Sequence, residues 1–161
     1  EEAVEYYLPG ILDLMIEIFG DPIPATTTWT HYAASCNSLA FMKRLHELNY
    51  ELDQINAIGG IHCSTALYTS AILGRVETVK YLLSMGADPT IVTNDDFKRT
   101  PLEEAYENDY FEVARLLANP KTLAIPAFKF NSDDAGITLL EQARADGNQR
   151  YIDLFEEALK Q

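Results

Sequence analysis

The sequence predicts an all-α fold, a solenoid of stacked helix-turn-helix units, and three observations carry that prediction. The first is the stretch 65–89, which reads as two short helices back to back. Thr65 is a hydroxyl residue suited to a helix N-cap, and Ala66, Leu67, Ala71 and Ile72 follow it. Gly74 and Arg75 break the run; Val76, Val79, Tyr81, Leu82 and Leu83 then resume it. Gly86 stands where a left-handed C-terminal cap is wanted, and Asp88 with Pro89 forbids continuation. The second observation is recurrence: threonines at 28, 65, 100 and 138 open similar stretches, spaced 37, 35 and 38 residues apart. The third is physical. Helices of under three turns are not stable in isolation, because nucleation is costly, so each pair needs a neighbour of its own shape.

In chain order, residues 1–19 are expected to form a helical cap, broken by Pro9 and Gly10 and apolar nearly all round from residue 11 onward. Asp21, Pro22, Ile23 and Pro24 make a stiff turn into the first full unit. There Ala33, Ala34 and Ala40 allow close helix approach, while Phe41, Met42, Leu45 and Leu48 fill the core. The connector 49–64 carries Gly59 and Gly60, and the shorter connector 94–99 carries Asn94, Asp95 and Asp96, residues with turn chemistry. Thr100 with Glu103, and Thr138 with Glu141, are spaced as capping boxes. Residues 118–135 depart most from the pattern; their prolines and their alternating Leu123, Ile125, Phe128 and Phe130 suggest an elongated loop or hairpin covering the third unit.

These units resemble the ankyrin repeat family, whose pattern runs T-P-L-H-x-A-A-x-x-G-H and then a leucine-rich helix and G-A-D. Thr100, Pro101 and Leu102 match its opening literally, as Gly86, Ala87 and Asp88 match its close. The unit at Thr28 keeps His31, Ala33 and Ala34 but has Trp29 in the proline place and Asn37 in the glycine place. The resemblance implies an ankyrin solenoid with β-hairpin fingers at the connectors. It implies one domain, with a partial N-terminal capping repeat at 1–22, repeats at 23–60, 61–94 and 95–132, and a C-terminal capping repeat at 133–161. His31 takes the position of a structural histidine that hydrogen-bonds between neighbouring loops, and His46 falls on an outer helix as a half-buried surface residue.

No chemistry stands out. Cys36 and Cys63 have no zinc spacing, and His62 beside Cys63 on an extended connector would point to the opposite side. Paired aspartates at 95–96 and 133–134 fall in turns, where Asp bonds its own backbone. A calcium loop, a phosphate-cradling glycine loop and a nucleophile elbow are all missing, so no enzyme, cofactor or metal is expected. The net charge of −13, from 25 acidic against 12 basic residues, disfavours nucleic acid and anionic membrane and leans toward a protein or peptide with a basic surface. No membrane-spanning stretch or leader is apparent, and two cysteines without a framework suit cytoplasm or nucleus. A capped stack is most simply a monomer. The start at Glu1, partway through a repeat, suggests a fragment of a longer protein.

Function is therefore expected from a surface: a non-enzymatic module binding a protein through the concave face and finger tips. The family's contact positions fall on Trp29, on Ile61 and His62, on Asp96, Phe97 and Arg99, and on Glu107 and Asn108. In the last repeat they include Ala145 and Asp146. Phe97 near Arg99, among Asp95, Asp96 and Glu107, has the composition of an apolar anchor with a polar rim. The alternatives are the targeting arm of a larger enzyme or of a bacterial effector acting in a host cytosol, and a proteinaceous enzyme inhibitor.

Overall fold

The computed structural model describes residues 10, 13, 14, 29–48, 55–59, 63–127 and 137–160. Eight of the nine helices among these residues form four antiparallel pairs. They are α1 (Trp29–Ser35) with α2 (Leu39–Glu47), α3 (Ala66–Ile72) with α4 (Val76–Ser84), α5 (Pro101–Glu107) with α6 (Phe111–Leu117), and α8 (Leu139–Ala145) with α9 (Gln149–Ala158). The short α7 (Pro120–Leu123) links the third and fourth pairs.

The start signals act as their chemistry requires. The hydroxyls of Thr65, Thr100 and Thr138 accept the backbone N–H of Tyr68, Glu103 and Glu141, and both capping boxes close. The turn inside each pair passes through one left-handed residue: Asn37 (φ 55°), Gly74 (67°), Asp109 (56°) and Gly147 (67°). Only two of these four are glycine. Asn and Asp tolerate that region better than other side chains, which lets Asn37 take the glycine place.

The core is layered by size. Ala33, Ala34, Ala66, Ala71 and Ala105 are fully buried along the inner helices, where small side chains permit the close packing of α1 on α3 and of α3 on α5. Larger groups (Phe41, Leu45, Leu82, Leu117) fill the space beneath the outer helices. The fourth pair joins differently. Close inner packing does not extend to α8 in the same way; instead Tyr151, fully buried on α9, meets Tyr106 edge-on at 4.8 Å and Phe111 at 5.3 Å between ring centroids.

Three expectations need adjustment. The fingers form without strands among the described residues. Gly59 and Ser64 make one antiparallel bridge, and Thr93 N–H reaches the Arg99 carbonyl at 3.0 Å. Between these ends Asp95 Oδ1 accepts from the Thr93 hydroxyl and from the N–H groups of Phe97 and Lys98, donors that would otherwise be free to enter a ladder. Residues 120–123, expected as loop or hairpin, are a helical turn capped by Asn119, with Leu123 buried; Phe128 and Phe130 lie outside the described residues. His46 is not half-buried but only 5% exposed, because Tyr81 of the next pair stacks on it at 5.4 Å with its hydroxyl 3.0 Å from Nδ1.

Candidate protein-binding surface

The residues expected to meet a partner fall on two edges of the stack. On the finger edge, the turn 93–99 presents Asp96 and Phe97 outward; Phe97 is 37% exposed. Its backbone is fixed by Asp95, whose carboxyl is held below its ordinary value chiefly by the Thr93 hydroxyl, with the backbone donors adding to it. Lys98 follows at φ 52°, the position that Cys63 (φ 45°) takes two residues before the preceding Thr65. The fingers touch: Asn94 N–H donates to the Cys63 carbonyl at 2.8 Å. One pair back, His31 Nε2 lies 2.7 Å from the Ser64 carbonyl oxygen, the inter-loop bond expected of it.

Arg99 turns away from the finger tip. Its guanidinium donates to Glu104 Oε1 at 3.0 Å, and the Tyr68 hydroxyl of the preceding pair donates to the same oxygen at 2.9 Å. Asn108, also expected as a contact, donates its side-chain amide to the Glu104 carbonyl at 2.9 Å. Glu104 is only 6% exposed, so these donors answer the cost of burying its charge. Burial first and then Glu104 raise the Tyr68 hydroxyl well above its usual value, keeping it a donor. Trp29 opens α1 half-buried and meets Phe41 edge-on at 6.1 Å, so its ring is engaged within its own pair. Ile61 and His62 lie outside the described residues.

The second edge is made by the turns within the pairs. Between the α5–α6 turn and the α8–α9 turn lies an open cleft of about 660 Å³, lined among others by Tyr106, Glu107, Asp109, Asp146, Asn148 and Arg150. Tyr106 donates its hydroxyl to Asp146 Oδ2 at 2.6 Å, and Gln142 Nε2 donates to Glu107 Oε1 at 2.8 Å. Arg150 pairs with Asp109 and lies over the Phe111 ring, 4.4 Å from its centroid. Burial and then the bond to Asp146 raise the Tyr106 hydroxyl far above its ordinary value; burial likewise pushes Tyr151 up to about 12. Repeat register places Glu107 and Asp146 on the surface, and both line this cleft. The bonds that Tyr106, Gln142 and Arg150 make between the third and fourth pairs are not legible from register, because no repeat pattern encodes how the fourth pair docks. No group of His, Cys, Asp and Glu among the described residues could hold a metal ion, and no described helix is long and apolar enough to cross a membrane.

Fold and surface define a helical repeat solenoid with a finger edge and a turn edge. A family model described as ankyrin repeats, in three copies, matches residues 30–134, and the chain belongs to the ankyrin repeat family. Among curated proteins it is similar to the E3 ubiquitin-protein ligase hecd-1 of Caenorhabditis elegans, 30% identical over 65% of this chain and 4% of that protein. It is also similar to the NAD-dependent deacetylase sir2B of Dictyostelium discoideum, 29% identical over 73% of this chain and 16% of that protein. The chain thus spans a small part of either relative. Among solved structures, an ankyrin repeat domain of Acinetobacter baumannii superposes with a TM-score of 0.58 at 30% identity, covering 80% of this chain and 63% of that one. A chain from the complex of a predatory endopeptidase of Bdellovibrio bacteriovorus with an immunity protein matches with a TM-score of 0.57 at 24% identity, over 80% and 63%, a likeness of fold.

Proposed function

We propose that this chain is a non-enzymatic interaction module that holds a protein partner on the concave side of the stack, with Phe97 and Asp96 at the finger tip and Glu107 on α5 as principal contacts. The observation that carries the reading is Phe97: a large apolar side chain presented outward on a turn whose backbone is fixed by three hydrogen bonds to Asp95 Oδ1. Apolar anchors on a preformed support cost little ordering entropy on binding and supply much of the affinity at protein interfaces. The reading extends to the whole chain as one domain, with caps at 1–22 and 133–161 and repeats at 23–60, 61–94 and 95–132. Arg99 and Asn108 serve it indirectly, by holding Glu104 and the base of the finger.

The test is affinity capture with the parent beside Phe97→Ala and Asp96→Ala, leaving Arg99 in place. Proteins retained by the parent and lost from the Phe97→Ala variant, at unchanged circular dichroism and melting, are the expected result. Retention of the same proteins by all three forms overturns the finger-tip assignment.

A second reading, the targeting arm of a larger enzyme, draws on one observation: the two curated relatives are a ligase and a deacetylase in which the matched region is a small fraction of the length. Under it, the full-length gene encodes a catalytic domain beside this module, and sequencing that gene decides it.

A further inference from the structure

Leu73 and Tyr110 are large apolar side chains left open on the surface, 40% and 37% exposed, and both adjoin Gly74 in the α3–α4 turn. Leu73 precedes that glycine in the chain. The Tyr110 ring, from the next pair, lies so close that a Cβ on Gly74 would stand 3.0 Å from it. Beside the ring is a shallow hollow of about 230 Å³, walled by Gly74, Val76, Phe111 and Val113 among others. Charge sets this turn apart from the rest of the surface. The chain carries 25 acidic against 12 basic residues, and five of its six arginines pair with a carboxylate. Arg75, the residue after Gly74, is the exception. Its Nε is closed off from water and has no acceptor among the described residues, while its terminal nitrogens are not closed off with it. A half-buried guanidinium with an unanswered donor is costly, and more conspicuous in a chain of net charge −13. The carboxylates around the turn are already matched, Glu77 by Lys80, Asp109 by Arg150 and Glu112 by Arg115. What the turn has left is an apolar surface and one positive charge.

We infer that this turn takes a segment of a protein partner in which an apolar side chain stands beside a carboxylate. The apolar group lies on Leu73 and Tyr110, and the carboxylate accepts from the Arg75 guanidinium. Leu73 and Arg75 are two residues apart, so two adjacent residues of an extended partner segment reach both. A guanidinium meets a carboxylate through parallel charge-assisted hydrogen bonds, and Arg and Tyr are residue types that carry much of the energy at protein interfaces. A basic segment does not fit, because the unmatched charge at this turn is itself positive. The turn lies on the opposite edge from the finger that carries Phe97, so the two sites are separable by mutation. The inference rests on the module reading only in taking a protein as the partner.

The experiment titrates the full, isotope-labelled chain with acetylated, amidated Gly-Gly-Leu-Glu-Gly-Gly and follows the backbone amides and the Arg75 Nε–H by NMR. The expected result is saturable movement centred on Leu73, Gly74, Tyr110 and the Arg75 side chain. Binding should weaken about fivefold when Gln or Lys replaces the peptide's Glu, when Gly replaces its Leu, and in Arg75→Gln or Leu73→Ala. Both variants keep Gly74 and the Tyr110 ring, and either one decides the matter if the other misfolds. Phe97→Ala should bind the peptide as the parent does. No saturation by about 10 mM peptide, equal or tighter binding of the Gln or Lys peptide, movement centred on the finger 93–99, or unchanged affinity in both variants overturns the site. Loss of a captured protein from Phe97→Ala with no peptide bound at the turn removes this site and leaves the finger-tip reading standing. Peptide bound at the turn, with the same proteins captured by Phe97→Ala and the parent, does the reverse.

Discussion

At the scale of single residues, the left-handed turns are where sequence freedom is most restricted. Gly74 has φ 67°, and a Cβ added there would stand 3.0 Å from the Tyr110 ring. Gly74→Ala is therefore expected to cost about 2–3 kcal/mol, part from the backbone and part from the ring. In denaturant titrations Tyr110→Ala should recover the second part only, a coupling that a double-mutant cycle measures. Asn37 already pays a residual penalty at φ 55°, so Asn37→Gly should be neutral or stabilising by up to about 1 kcal/mol. Asp95 supplies a pH dependence. Its hydrogen bonds lower its folded pKa below the ordinary 3.8, so their contribution is full above that value and is lost as pH falls through the lowered one. Amide protection at Phe97 and Lys98, taken relative to the intrinsic exchange rate at each pH, should be level above 3.8 and fall as pH drops below it, and Asp95→Ala should abolish the fall.

At the scale of elements, what was readable was whatever depends on neighbours along the chain. Thr65, Thr100 and Thr138 announce three helix starts, and Asn37 in a glycine place announces the turn it makes. The burial of His46 is not legible locally because it depends on Tyr81, 35 residues on, and the helical turn at 120–123 is hidden because Asn119 caps it inside a stretch whose prolines read as loop. The site was half legible for the same reason. Register gives Glu107 and Phe97 as surface positions, but not the burial of Glu104, which Arg99 reaches from five residues away and Tyr68 from another pair. Thr100→Ala opens a capping box and should cost about 1 kcal/mol in denaturant titrations. Phe155→Ala, in the ring cluster that holds α9, should cost about 3–5 kcal/mol, with exchange rising in α8 and α9 and unchanged in α3 and α4.

At the scale of the molecule, charge and modularity govern behaviour. With a net charge of −13, association with a basic partner should slow steeply between about 50 and 500 mM salt while dissociation changes little, measurable by stopped flow. Stability should behave as a sum over pairs and their interfaces rather than as one core. Side-chain bonds that cross between pairs show why: His31 to Ser64, His46 to Tyr81, Tyr68 to Glu104, Tyr106 to Asp146, Gln142 to Glu107 and Arg150 to Asp109 each join a pair to its immediate neighbour, at separations of 33, 35, 36, 40, 35 and 41 residues.

That narrow band of separations bears on how the protein is made. A chain emerging from the ribosome completes each helix pair against one already outside the exit tunnel, and a newly formed interface waits for no residue further than about forty positions downstream. Synthesis proceeds at about 5–20 residues per second, so each step of docking has seconds to finish before the next pair appears. Birth order and spatial order coincide, and the alanine-lined inner faces are covered in the sequence in which they are translated.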